Sequence, residues 1–186
     1  MPDRVGVPPC GQADCRACSV RDWLLEAGAR GLDSATLLDD DTPGNVHCEV
    51  TICDDGDCLC QSRLKLDITG ATYRETGRRS EETPMCDFSV VAALPERNVA
   101  AAVELKLGAA AWPDSGEQLQ HGLRVLHDAF SGVGAHSTPR AYLAVGKQRE
   151  QLQEVLDAEG FRLNYGSHTV PVEVIDCGSC INISAA

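Results

Sequence analysis

Aromatic side chains are scarce in this chain, at 4% of 186 residues. Its core must therefore be packed from Val, Leu and Ala instead of stacked rings. No apolar run approaches the ~20 residues that a membrane-crossing helix needs, which argues against a membrane protein. The opening MPDRVGVPPCGQ has no apolar stretch of the kind a secretory signal carries, and this predicts a cytoplasmic protein. A Gly-rich phosphate loop and an internal repeat are also missing, which argues against P-loop chemistry and against a solenoid. Basic residues are few: 16 Lys and Arg stand against 28 Asp and Glu, for a net charge of −12. Phosphate contacts come mostly from Lys and Arg, so the chain does not read as a simple nucleic-acid-binding module.

What is present is enough apolar residue, 43%, for one compact domain with a real core. The acidity is uneven. It gathers in a cysteine-rich segment, 1–84, with its runs Asp39-Asp40-Asp41 and Asp54-Asp55, and in the last segment, 151–186. The middle, 85–150, holds seven acids and six bases and is nearly neutral. The alternation of short apolar runs with amphipathic stretches predicts an α/β or α+β layered domain, a mixed sheet flanked by helices. Helices are expected at 20–29, 115–130 and 148–159, and strands at 140–145, 161–165 and 170–175. Residues 76–84, with Arg78 and Arg79, read as a polar loop.

The neutral middle holds the densest chemistry. Residues 88–94 and 99–107 are apolar runs separated by Pro95-Glu96-Arg97-Asn98, which predicts a β-hairpin. The expected register sets Leu94 against Val99 and therefore Asp87 against Lys106. Because strand side chains alternate between faces, Asp87, Glu104 and Lys106 then share one face. Asp87 would be diagonal to Glu104, roughly 7–8 Å away between backbone positions. Two carboxylates at that distance can hold one hard divalent cation such as Mg²⁺. Glu-x-Lys at a strand end is usually solvated decoration. Here the preceding strand is apolar on both faces, and buried strands rarely end in paired charges without purpose.

At this point the chain resembles the PD-(D/E)xK, or restriction-endonuclease-like, nuclease superfamily. The resemblance rests on Met85-Cys86-Asp87, on Ala102-Val103-Glu104-Leu105-Lys106 and on the helix Gly116-Glu117-Gln118-Leu119-Gln120. It covers about residues 85–150, and Cys86 stands where the motif often has proline. The resemblance implies a metal-dependent nuclease acting on DNA, in phage defence, recombination or repair. It implies that Asp87, Glu104 and the Leu105 carbonyl bind Mg²⁺ or Mn²⁺. Lys106 would orient or help deprotonate the attacking water, and Gln118 or Gln120, Gln118 before the other, would contact the water or a phosphate. Glu26 would be the acid of the first helix, with Glu82 the weaker candidate. An enzyme this acidic would need a protein partner supplying basic surface to reach DNA.

Ten cysteines form the second signal. Without a secretion signal, clustered thiols point to Zn²⁺ or an iron–sulfur cluster more than to disulfides. Cys15 and Cys18 with Cys177 and Cys180 would make a tetrathiolate clamp across the two ends of the domain. Some nucleases of the resembled superfamily close an iron–sulfur staple with cysteines from both sides of the core, though in a different arrangement. Cys48, Cys53, Cys58 and Cys60 would form a second zinc site on a hairpin turning at residues 54–57, with His47 a further candidate ligand. Alternatively, Cys53 and Cys58 only face each other as reduced core residues. A second function class stays open: a non-catalytic zinc-binding adaptor that binds another protein through its acidic face.

Overall fold

A computed structural model describes residues 15–38, 47–53, 58–66, 74–75, 78–79, 85–107, 112 and 114–184. From the N-terminal side these form α1 (Arg16–Glu26), β1 (Arg30–Leu32), β2 (Thr36–Leu38), β3 (Glu49–Cys53) and β4 (Cys60–Lys65). The short strands β5 (Arg74–Glu75) and β6 (Arg78–Arg79) pair with each other, and β7 (Phe88–Ala93) and β8 (Asn98–Lys106) follow. The rest is α2 (Asp114–Gly132), β9 (Thr138–Val145), α3 (Arg149–Ala158), β10 (Leu163–Tyr165), β11 (His168–Val170), β12 (Val172–Asp176) and β13 (Cys180–Asn182).

The architecture is mixed α+β, in three layers. The central sheet is six-stranded and mixed, in the order β1-β4-β7-β8-β9-β12. Its first half is an antiparallel meander, and its second half is parallel, with β8, β9 and β12 running together. Parallel neighbours need a crossover, which α2 supplies between β8 and β9. The helix has the pattern for that role: Leu119, Leu123, Leu126 and Phe130 are buried at helical spacing. Burial of each such side chain is worth about 1.5–3 kcal/mol.

One face of the sheet, with Val91, Ala100, Ala102 and Leu143, packs under α1 and α2. The other, with Phe88, Val90, Ala101, Val103 and Tyr142, packs against Leu37, Val50, Ile52 and Ile181. Those residues belong to a small second sheet ordered β13-β3-β2. β8 is therefore sandwiched on both sides, and the residues from Val99 to Leu105 are all buried. The free edge of β12 is covered by α3. Gln153 accepts the Val174 N–H at 2.8 Å and donates to the Val172 carbonyl at 3.4 Å, while Arg149 Nε donates to the Val174 carbonyl at 3.0 Å. Side chains that occupy an edge in this way block the addition of a foreign strand.

Several expectations need correction. The central hairpin forms, but with Ala93 opposite Asn98 and Phe88 opposite Val103. This register is two residues tighter than expected, because the Leu94 N–H closes the turn on the Arg97 carbonyl at 2.8 Å. β3 and β4 do not form a hairpin. They lie in different sheets, β3 between β13 and β2, and β4 between β1 and β7. The turn expected at 54–57 lies outside the described residues, as do most of 76–84. The first helix begins at Arg16 and ends at Glu26, four positions before the expected start and three before the expected end. The strand expected at 170–175 is divided by Pro171, which cannot donate to a ladder, into the ends of β11 and β12.

Candidate active site and cysteine cluster

The two-residue correction brings Asp87 closer to Glu104 than the sequence suggested. Continuing the ladder past Phe88 and Val103 sets Asp87 level with Glu104. The two are tied by hydrogen bonds as well as position. The Asp87 N–H donates to Glu104 Oε2 at 3.0 Å, and Asp87 Oδ2 accepts the Leu105 N–H at 2.8 Å. A strand residue points its N–H and C=O the same way, so the Leu105 carbonyl faces the Asp87 side of β8. Asp87, Glu104 and Leu105 thus converge where the parallel strand β8 ends. Ligands of open α/β sheets bind at such carboxyl ends.

Glu104 is fully buried, at 0% exposure, although it is acidic. Lys106 Nζ lies 2.5 Å from its Oε1 and remains one-third exposed. The Lys106 ammonium thus faces Oε1 in a close ion pair. Burial pushes the Glu104 carboxyl up to about 7, the Asp87 charge adds to the rise, and Lys106 only partly offsets it. A buried carboxylate beside a second acid is a donor set suited to a divalent cation. Such a cation would have to displace Lys106 from Oε1.

The neighbours are tightly packed. Cys86 is buried against α2, and a Cβ added at Gly122 would come 2.2 Å from its Sγ, so only glycine allows this approach. Burial holds the Cys86 thiol far above its usual range, and the Glu104 and Asp87 charges reinforce this. At the same end of β8, the Gly146 N–H donates to the Lys106 carbonyl at 2.9 Å, and a Cβ there would overlap the Leu107 carbonyl. Gln118, in the first turns of α2, donates to the Met85 carbonyl at 3.4 Å, beside Asp87. Gln120 is committed elsewhere, to both the N–H and the carbonyl of Asn164 at 2.8 Å. Glu26 is exposed at the end of α1, and no hydrogen bond or ion pair joins it to Asp87, Glu104 or Lys106. Ser89, two residues along β7 on the Asp87 face, and Ser115 at the start of α2 were not anticipated. Both are fully buried with hydroxyls that lack a partner among the described residues.

The cysteines sort differently from either expected grouping. Cys48 is disulfide-bonded to Cys177 and Cys53 to Cys180, with Cα separations of 5.1 and 5.9 Å. The tetrathiolate of Cys15, Cys18, Cys177 and Cys180 therefore does not assemble. α1 lies on one face of the central sheet, while β13 pairs with β3 in the layer on the other. The second expected set is split for the same reason. Cys48 and Cys53 are taken by the disulfides, Cys58 packs toward the small sheet, and Cys60 points to the helical side. Cys60 instead joins Cys15 and Cys18, and the three sulfurs lie within 4.8 Å of one another, a group that can hold a metal ion. No sequence spacing announces this trio, since 42 residues separate Cys18 from Cys60.

No helix among the described residues is long and apolar enough to cross a membrane. Compared with family models, curated proteins and solved structures, the chain matches none of them.

Proposed function

We propose that the chain is a Mg²⁺- or Mn²⁺-dependent nuclease that hydrolyses DNA phosphodiester bonds on a restriction-endonuclease-like core. The observation that carries this reading is the convergence of Asp87, Glu104, Lys106 and the Leu105 carbonyl at one end of β8, with the Glu104 carboxylate buried. A bound divalent cation supplies Lewis acidity toward the phosphate and lowers the pKa of a coordinated water.

The chain's own groups do the rest. Asp87 and Glu104 supply the anionic oxygens, held in place by the Leu105 and Asp87 N–H groups. Lys106, one-third exposed, is released from Glu104 to orient the attacking water and to offset charge growing on the phosphate. The Gln118 amide, on a long 3.4 Å bond to Met85, is available to turn toward water or phosphate. Because the net charge is −12, a partner protein of basic surface would raise the local DNA concentration.

A second reading is a metal-binding adaptor without catalysis. It is favoured by the closed Lys106–Glu104 pair, which satisfies both charges without a ligand. The deciding experiment incubates the purified chain with single- and double-stranded DNA, with and without Mn²⁺, beside Lys106→Ala. Cleavage that needs Mn²⁺ and disappears in the variant is the expected result. Equal cleavage by the variant overturns the assignment, and no cleavage under any condition moves the adaptor reading to first place.

A further inference from the structure

The trio on the helical side is independent of the carboxylate site, and it calls for its own chemistry. Cys15 is the N-cap of α1, and its Sγ accepts the Cys18 N–H at 3.4 Å. Cys18 sits one turn on, and its Sγ lies 3.2 Å from that of Cys60 at the start of β4. Cys15 and Cys60 are nearly buried, at 8% and 7% exposure. Thiolates around tetrahedral zinc, with Zn–S of ~2.3 Å, stand about 3.8 Å apart. The observed sulfurs are close enough for small shifts to reach that spacing: one pair is at 3.2 Å and all lie within 4.8 Å.

A cation bound among three sulfurs this close takes them as thiolates. Two local features already favour negative charge there. A helix N-terminus carries partial positive charge, and Arg21, on the next turn of α1 with an 11% exposed side chain, interacts electrostatically with Cys18 and Cys60. Zinc with three thiolates carries one net negative charge, and the guanidinium beside it is shared with Asp22, which it meets at 2.7 Å. The other cysteines whose partners are placed are in disulfides on the far side of the sheet, so oxidation of those pairs leaves the trio intact.

We infer that Cys15, Cys18 and Cys60 are ligands of a structural Zn²⁺ that fastens the N-terminus of α1 to the start of β4. The centre clamps the helical layer onto the strand next to β7 and takes no part in phosphodiester chemistry. It stands or falls separately from the nuclease reading, because its readout is metal content and not cleavage.

The test is the zinc content of the full chain purified under mild reduction, beside Cys18→Ser, Cys60→Ser and Cys58→Ser. About one zinc per chain is expected in the wild type and in Cys58→Ser, with loss in the other two. Should the Cys18 or Cys60 variants fail to fold, Co²⁺ exchange into the wild-type protein gives a second readout. Thiolate-to-cobalt charge-transfer bands with tetrahedral d–d bands support the centre, and their absence overturns it. A Cys18–Cys60 disulfide in the mass spectrum overturns it, as does iron with acid-labile sulfide in place of zinc, or zinc retained in Cys60→Ser.

Discussion

Asp87 gives its backbone N–H to the Glu104 carboxylate, 3.0 Å away, while its own carboxylate holds the next residue of the opposing strand, Leu105, at 2.8 Å. This reciprocal hold fixes both acids without a metal. It also leaves Glu104 with an energetic debt, because its buried carboxyl is driven up to about 7 by desolvation and by Asp87.

The sign of that debt can be tested. A carboxyl whose folded pKa is raised binds more protons in the folded state, so stability falls as pH rises from the ordinary 4.5 to about 7. Glu104→Gln removes the penalty. The variant is expected to gain on the wild type across that window and to be more stable by about 1–3 kcal/mol at pH 8, with cleavage abolished. Urea midpoints at pH 5 and pH 8 check this. A gap between variant and wild type that stays constant with pH would mean that Glu104 titrates normally.

The same carboxyl should tune metal binding. Protons compete with the cation for Glu104, so Mn²⁺ affinity is expected to rise between pH 6 and pH 8. Lys106 lowers the Glu104 pKa and Asp87 raises it. Lys106→Ala should therefore move the midpoint of this rise to higher pH, and Asp87→Asn should move it lower while weakening binding overall. Titration calorimetry at several pH values checks this, and midpoints moving the same way in both variants would contradict the pairing described.

Gly122 and Cys86 should behave as one unit. Gly122→Ala drives a methyl to 2.2 Å from Cys86 Sγ, an overpacking expected to cost about 1–3 kcal/mol. Cys86→Ala in the same background removes the obstructing sulfur and should recover most of the loss. A double-mutant cycle measures this. Strict additivity would show that the two do not touch.

The disulfides should matter for stability and not for chemistry. Cys48–Cys177 closes a sequence separation of 129 residues, for which chain-entropy arguments give a few kcal/mol, at most about 5. Reductant or Cys177→Ser should lower the unfolding midpoint accordingly. Thiol labelling without reduction should spare Cys48, Cys53, Cys177 and Cys180, and labelling of all four in the folded protein would refute the pairing.

The parts of the fold legible in the sequence were those with local cause. The hairpin around Pro95, the amphipathic α2, the strand β9 and the helix α3 follow from periodicity and turn residues, and each was anticipated to within about two residues. The coincidence of Asp87, Glu104 and Lys106 on one face was legible too, since a two-residue slip preserves the face. Long-range partnerships were not legible. β13 is three residues long, and nothing in Cys180-Ile181-Asn182 says that it will lie parallel to β3. Without that pairing, the sequence offers Cys177 and Cys180 the C-x-x-C of Cys15 and Cys18 as partner, which lies on the other side of the sheet. Reading 49–67 as one hairpin hid the same fact, because β3 and β4 enter different layers.

The placement of β3 has a consequence for how the molecule is made. Its parallel partner β13 and both of its sulfur partners are translated more than 120 residues later. A nascent chain can close the hairpin of β7 and β8 early, but the layer behind them has no third strand until synthesis has passed Asn182. Until then the apolar back of the sheet, with Phe88, Val90 and Val103, lacks its β13 cover. During biosynthesis that face thus has only β2 and β3 to cover it, and the part that Ile181 covers in the finished fold waits for the end of the chain.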